Sequence, residues 1–212
     1  MYLRLWPVAI FTAMAVSSVS LARESEKVRN DKVTVWEDDL NGSEAVAASD
    51  GKPALLLYLS EGTLDVIAQR GTRTNVQAKP GKVNFEPNGF REIRNSGSSP
   101  FRLLRVHFKN AGSPERWGRS GLSSHYKVLL ENNFVRVYDI FIPASSNEPQ
   151  HTHKDRIVVS LAGAELTHLF PDGRTEVSTL KTGEVVWRKG STHIGQNHSA
   201  NDFHAIAIEP KY

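Results

Sequence analysis

Displacing the chain by 102 residues lays its second half on its first without a gap, and this register constrains the fold more than any local motif does. Asn30 falls on Asn132, Val33 on Val135, Val35 on Val137, Leu59 on Leu161 and Leu64 on Leu166. Gly71 falls on Gly173, Gly81 on Gly183, Val83 on Val185, Asn95 on Asn197 and Phe101 on Phe203. Trp36 with Tyr138, Glu37 with Asp139 and Phe85 with Trp187 are conservative matches. The paired glycines weigh most, because they mark turns that need positive φ or close backbone approach. The chain reads as two copies of one domain, 31–110 and 122–212, joined by the Gly/Ser/Pro-rich linker 111–121.

Each copy is a series of short apolar or alternating runs broken by turn residues. In the second copy the runs are Phe134–Ile142, Arg156–Leu161, Glu165–Phe170, Thr175–Leu180, Glu184–Arg188 and Phe203–Glu209. Pro171-Asp172-Gly173-Arg174 is a hairpin turn signal. No window offers a long amphipathic helix, although Asp38–Ala48 has room for one turn. Evenly spaced short strands predict an all-β sandwich or barrel, the group that includes jelly rolls.

With 23% charged and 39% hydrophobic residues, the composition is that of a soluble globular protein. The net charge of +3 is scattered, with no run of five or six like charges, which argues against a nucleic-acid partner. Residues 1–22 read as a secretory signal peptide: a basic start, an apolar stretch from Leu5 to Val19, and Ser20-Leu21-Ala22 before Arg23-Glu24. The apolar stretch falls short of the roughly 20 residues that span a bilayer, so no membrane attachment is expected after cleavage. The mature chain is expected to be exported, periplasmic or secreted. There is no cysteine, which excludes thiolate metal sites, iron–sulfur clusters and cysteine nucleophiles.

The chemistry-bearing residues are His151-Thr152-His153 and, in a distant strand-like segment, His193. Histidines at i and i+2 on a strand share a face, and a third from another strand can close three corners of a metal site. Neutral imidazole suits zinc, iron, copper and nickel alike. In the first copy Ser49 replaces His151, Gly51 replaces His153 and Arg91 replaces His193. At most one metal per chain is therefore expected, in the second copy. Arg91 is read as an ion-pair residue, with anion binding as the alternative.

These residues resemble the two motifs of the cupin superfamily, and the duplication resembles a two-domain bicupin. Gln150 to Gly163 supplies the His-x-His pair and glycine of the first motif. Gly183, the Lys189-Gly190 turn, His193 and Asn197 supply the second, with lysine where proline is usual and a turn one residue shorter than the commonest form. The resemblance covers nearly the whole mature chain. It implies two tandem double-stranded β-helix (jelly-roll) barrels after the signal peptide, one divalent metal (iron, manganese, nickel, copper or zinc) on His151, His153 and His193, and homodimers. Where the family's glutamate ligand is expected, the chain has Ile157 or Val158. The implied site is therefore a three-histidine one, as in some cupin dioxygenases, which argues against oxalate-decarboxylase-like and germin-like chemistry.

His168 shares a strand face with Leu166 and Phe170 and is the candidate proton carrier, with a fourth ligand or a core histidine as the alternatives. Asn197 recurs as Asn95 in the copy without the histidines, so a turn-stabilising role is expected. Trp187 recurs as Phe85 and reads as structural. Arg156 and Arg188 read as exposed strand residues, with carboxylate binding as the alternative. His198 reads as exposed. The function expected is that of a metal-dependent enzyme on a small molecule, of dioxygenase type. The alternatives are a non-catalytic small-molecule or sugar-binding module and a metal-assisted isomerase, hydrolase or lyase.

Overall fold

The computed structural model describes residues 22–47 and 50–212. The segment 1–22, read from the sequence as a signal peptide, lies, apart from Ala22, outside the described residues. Every regular element among the described residues is a strand. The N-terminal half contains β1 (Arg23–Arg29), β2 (Val33–Leu40), β3 (Ala45–Ala47), β4 (Ala54–Tyr58), β5 (Gly62–Ala68), β6 (Arg73–Ala78), β7 (Val83–Glu86), β8 (Phe90–Asn95) and β9 (Phe101–Phe108). The C-terminal half contains β10 (Tyr126–Glu131), β11 (Val135–Ile142), β12 (Ser146–Asn147), β13 (His151–His153), β14 (Arg156–Ala162), β15 (Ala164–Leu169), β16 (Thr175–Leu180), β17 (Val185–Arg188), β18 (Ser191–Asn197) and β19 (Phe203–Pro210).

The sequence register is the structural register. Strands β11, β14, β15, β16, β17 and β19 each begin 102 residues after their N-terminal counterparts. Even an irregularity is repeated: pairing slips between Glu26 and Val28 in one half, and between Val128 and Leu130 in the other. Gly71 and Gly173 hold φ of 88° and 84° at equivalent hairpin turns, a region in which a side chain is strained. Asp38 to Leu40 continue strand β2, so the single helical turn allowed for there does not form. Burial of both faces of that strand favours the extended chain.

Each half closes two antiparallel sheets on each other. In the N-terminal half the order is β1-β2-β9-β4-β7 against β3-β8-β5-β6. In the C-terminal half it is β10-β11-β19-β14-β17 against β12-β18-β15-β16, with β13 added on β18. The two five-stranded sheets also pack on each other. Val33, Val35, Leu57 and Val106 of one half share a single apolar core with Val135, Val137, Ile157 and Ile208 of the other. Alternation along each strand thus serves two cores. On β11, Val135 and Val137 face the shared core while Tyr138, Ile140 and Ile142 face the C-terminal barrel interior. On β14, Ile157 and Val159 take the shared core and leave Arg156 and Val158 to the interior. Lys32 adds a polar tie between the halves, an ion pair to Asp155 at 2.9 Å.

Strands β10 and β12 fall outside the sequence-predicted runs, and β13 and β18 are expected as strands only around their histidines. The segments of β12, β13 and β18 lack apolar alternation, and in β13 and β18 the polar residues are the site itself, whereas β10 alternates through Tyr126, Val128 and Leu130 but is interrupted by a slip in pairing.

Candidate metal centre

Strands β13 and β18 pair antiparallel, with His151 opposite His193 and His153 opposite Ser191. Period-two alternation buries His151 and His153 and exposes Thr152 between them. The two histidines of one strand and the one of its partner therefore meet on the same face. Ring centroids lie 4.6 Å apart for His151 and His153, 4.7 Å for His151 and His193, and 5.2 Å for His153 and His193. One ligand nitrogen from each lies within 4.8 Å of the others. The structure thus brings together all three sequence-predicted metal ligands.

The surrounding hydrogen bonds fix which nitrogen of each ring faces the centre. His151 Nδ1 is 2.9 Å from the Pro149 carbonyl, which can only accept, so this nitrogen donates and Nε2 keeps its lone pair. Glu209 is held by Arg136 through a buried ion pair, so Tyr138 donates its hydroxyl to Glu209 Oε1 at 2.9 Å. The Tyr138 oxygen then accepts from His153 Nδ1 at 3.0 Å, and His153 Nε2 is also unprotonated. The two Nε2 lone pairs lie 2.9 Å apart, an unfavourable arrangement that a shared cation relieves. His193 Nδ1 is 3.2 Å from Ser191 Oγ, leaving Nε2 as its other donor atom. Burial holds His151 and His153 below the usual imidazole range, His153 strongly so, and pushes His193 down to about 3. Three neutral nitrogen donors with their outer nitrogens tied down fit a divalent metal of borderline character.

Two groups that sequence reasoning missed complete the centre. Tyr126 on β10 places its hydroxyl 3.1 Å from His151 Nε2 and 3.4 Å from His153 Nε2. Glu148 lies 3.9 Å from His151 Nε2, accepts from Ser123 Oγ at 2.9 Å, and is pushed up to about 7 by burial. The position where the cupin resemblance would place a carboxylate is apolar, but Glu148 brings a carboxylate to the same centre from the other side of the His-x-His pair. Gly195 makes this possible, since a Cβ there would stand 2.3 Å from Glu148 Oε2. One sequence signal was available: Glu148 aligns with Val46 at the 102-residue offset, a buried apolar position turned acidic.

Beside the histidines opens a cavity of about 280 Å³. His168 lines it, 4.7 Å ring to ring from His193. Its Nε2 meets Ser178 Oγ at 3.1 Å, while its buried Nδ1 has no partner. Burial, then Arg156, lowers it to about 4, so it stands neutral and outside the three-histidine cluster. Arg156 corrects the sequence reading: it is 7% exposed and lines the cavity, because β14 spends its alternate positions on the shared core. Arg188 is half-buried at the cavity's edge. Asn197 donates to the carbonyls of Ile142, Pro143 and Asn201, and Asn95 does the same to Leu40, Asn41 and Ser99. Each pair of acceptors is 102 residues apart, so the asparagine is a turn clamp common to both halves. Arg91 and His198 are exposed.

No family model and no curated protein matches the sequence. The fold has solved counterparts. A cupin 2 conserved barrel domain protein from Leptotrichia buccalis is 13% identical, with a TM-score of 0.59 over 92% of each chain. AerE from Microcystis aeruginosa is 12% identical, with a TM-score of 0.63 over 90% of this chain and 98% of its own. A variant of Bacillus subtilis oxalate decarboxylase is 9% identical, with a TM-score of 0.62 over 90% of this chain and 73% of its own. At these identities the likeness is one of architecture, and it shows that the chain has the cupin-type jelly-roll fold.

Proposed function

We propose that the chain is an exported bicupin metalloenzyme that holds one divalent metal on His151, His153 and His193 and acts on a small molecule with oxygen, as a dioxygenase does. The observation that carries the reading is the pair of imidazole lone pairs 2.9 Å apart, each fixed by an acceptor or network behind its ring. A bound metal would supply Lewis acidity and open positions for substrate and oxygen. The chain's own residues supply the rest. Glu209 and Tyr138 orient His153, Pro149 orients His151, and Ser191 orients His193. His168, neutral and with a free buried nitrogen on the cavity wall, accepts a proton from a substrate held there. Tyr126 donates a hydrogen bond toward the centre.

Elemental analysis of untagged protein tests this reading. Near one equivalent of iron, copper, manganese or nickel is expected in the wild type and none in His193→Ala. Oxygen uptake with a substrate panel then follows the metal. Absence of metal after reconstitution overturns the reading in favour of a non-catalytic binding module. Glu148 favours a second reading, a metal-assisted isomerase or lyase, because a buried carboxyl 3.9 Å from His151 is a ready proton acceptor. Turnover that persists without oxygen would select it.

A further inference from the structure

Three arginines are buried among the described residues, and two of them have a buried carboxylate. Arg105 is clasped by Asp38 from both its Nε and its Nη2, the latter at 2.7 Å, and also by Glu24. Arg136 is held by Glu209, with Nε to Oε2 at 2.8 Å. Arg156 has no carboxylate within ion-pair distance. Its Nη1 makes two long contacts, 3.4 Å to the Lys154 carbonyl and 3.3 Å to the Lys189 carbonyl, and its solvent-excluded Nε has no partner at all. A buried guanidinium without an anion is costly, and it persists where an anion arrives from elsewhere.

The nearby acids do not fill the gap. Glu148 is engaged by Ser123 and Tyr126, Glu209 by Arg136 and Tyr138, and Glu176 lies 4.0 Å from Arg188. The side open to Arg156 is the cavity, whose mouth adds Arg174, Arg188 and Lys189. Part of its wall is apolar, with Ile140, Ile142, Leu166, Leu180 and Phe203. A guanidinium matches a planar carboxylate through two parallel N–H bonds, and the apolar wall accepts the body that carries it.

We propose that Arg156 is the anion anchor of this cavity and that the ligand is a small carboxylic acid with an apolar body, its carboxylate on Arg156 beside the three histidines. This rests on the metalloenzyme reading for the ligand's role as substrate, but the anchor does not need the metal. An apolar monocarboxylate satisfies both the orphaned guanidinium and the wall. An uncharged sugar satisfies neither.

The test is calorimetric titration of the full mature chain with benzoate, its uncharged shape-match benzamide, and inorganic phosphate. Benzoate is expected to bind saturably, benzamide far more weakly, and Arg156→Gln to weaken benzoate about 10–100-fold while leaving benzamide unchanged. Arg156→Lys keeps the charge but not the fork and should fall between. Without ligand, Arg156→Gln should melt no lower than the wild type, since it removes an unpaired buried charge; a lower Tm would mark Arg156 as structural and overturn the proposal. Equal benzoate affinity in wild type and Arg156→Gln would also overturn it, as would phosphate binding without benzoate binding. The metal reading fails separately. Arg156-dependent benzoate binding that survives in EDTA-treated protein and in His193→Ala, with no metal in the wild type, would leave the anchor standing and remove the metal.

Discussion

In the N-terminal barrel Val46 and Val66 are buried in an apolar core, with Val76 packed against them. At the same positions of the C-terminal barrel, 102 residues on, stand Glu148, His168 and Ser178. Ala54 becomes Arg156, and Gly51 becomes His153. Arg156, His168 and Ser178 lie on strands that begin at equivalent positions in both halves, whereas β13, which carries His151 and His153, has no counterpart among the described residues of the N-terminal barrel. What differs is that added strand and a handful of inward side chains. The comparison teaches that the site is a substitution within a core: the scaffold supplies inward positions, and the same position closes with valine or opens with a polar group.

Each barrel also buries one arginine–carboxylate pair, but at unrelated positions. Arg105 aligns with Ala207 and Arg136 with Thr34, so the pairs are separate solutions and can have separate duties. Glu209→Gln leaves the buried Arg136 without an anion and is expected to cost about 3–5 kcal/mol in denaturant titrations, whereas Asp38→Asn leaves Arg105 the half-exposed Glu24 and is expected to cost somewhat less. Only Glu209→Gln should also weaken metal binding, by about 10–100-fold in a competition assay, because Glu209 orients His153 through Tyr138. Equal metal affinity in the two variants would break the distinction.

Acid should separate the barrels next. In the metal-free protein, burial lowers His151 and His153, holds His168 near about 4 and His193 near about 3. Unfolded histidine titrates near 6.5, so between there and the folded values the unfolded chain binds more protons. The stability these groups contribute is present above 6.5 and is lost as the pH falls toward 4. Glu148, raised to about 7, works the other way and offsets about one histidine. The N-terminal barrel has His107, lowered to about 4, against Asp38 and Glu86, both raised by burial. Going from pH 6.5 to 5 should therefore cost the C-terminal barrel about 2–4 kcal/mol and the N-terminal barrel little. Hydrogen exchange should show β14 and β18 losing protection ahead of β4 and β8. Parallel losses would mean that the shared core makes the two barrels one cooperative unit.

The two halves should behave alike at the turn clamp. Asn95→Ala and Asn197→Ala each remove three hydrogen bonds to equivalent carbonyls, and each is expected to cost about 1–3 kcal/mol, with metal content unchanged. A metal deficit confined to Asn197→Ala would give that residue a role its duplicate lacks.

The repeat made the fold legible, because a register shared by glycines, strand residues and asparagines leaves few architectures. It also separated Asn197 from the histidines, since an asparagine retained where the histidines are gone cannot owe its place to them. The three histidines were legible from period two on β13. Glu148 and Tyr126 were not, because Glu148 lies outside any strand, the alternation of β10 does not say which face meets the histidines, and each reaches the centre only through tertiary closure. Arg156 was misread for a related reason. Alternation on β14 shows that two faces exist, but the second buried face appears only once the neighbouring barrel covers the first.

The smallest effect is the most discriminating. His168→Val with Ser178→Val imports the N-terminal core pair Val66 and Val76 into the C-terminal barrel. The buried Nδ1 of His168 has no partner, and its removal should raise stability by about 1 kcal/mol. Mutating Ser178 at the same time prevents its hydroxyl from inheriting the deficit. Because His168 stands outside the three-histidine cluster, the double variant should keep its metal and lose only turnover. The reverse exchange, Val66→His with Val76→Ser, places polar groups in a filled core and should destabilise the chain by about 1–3 kcal/mol. A stabilised, metal-loaded and inactive variant would show that the open barrel gives up stability for a proton-accepting group. A destabilised variant without metal would instead make His168 part of the metal centre, and the boundary between core and site would have to move one strand outward.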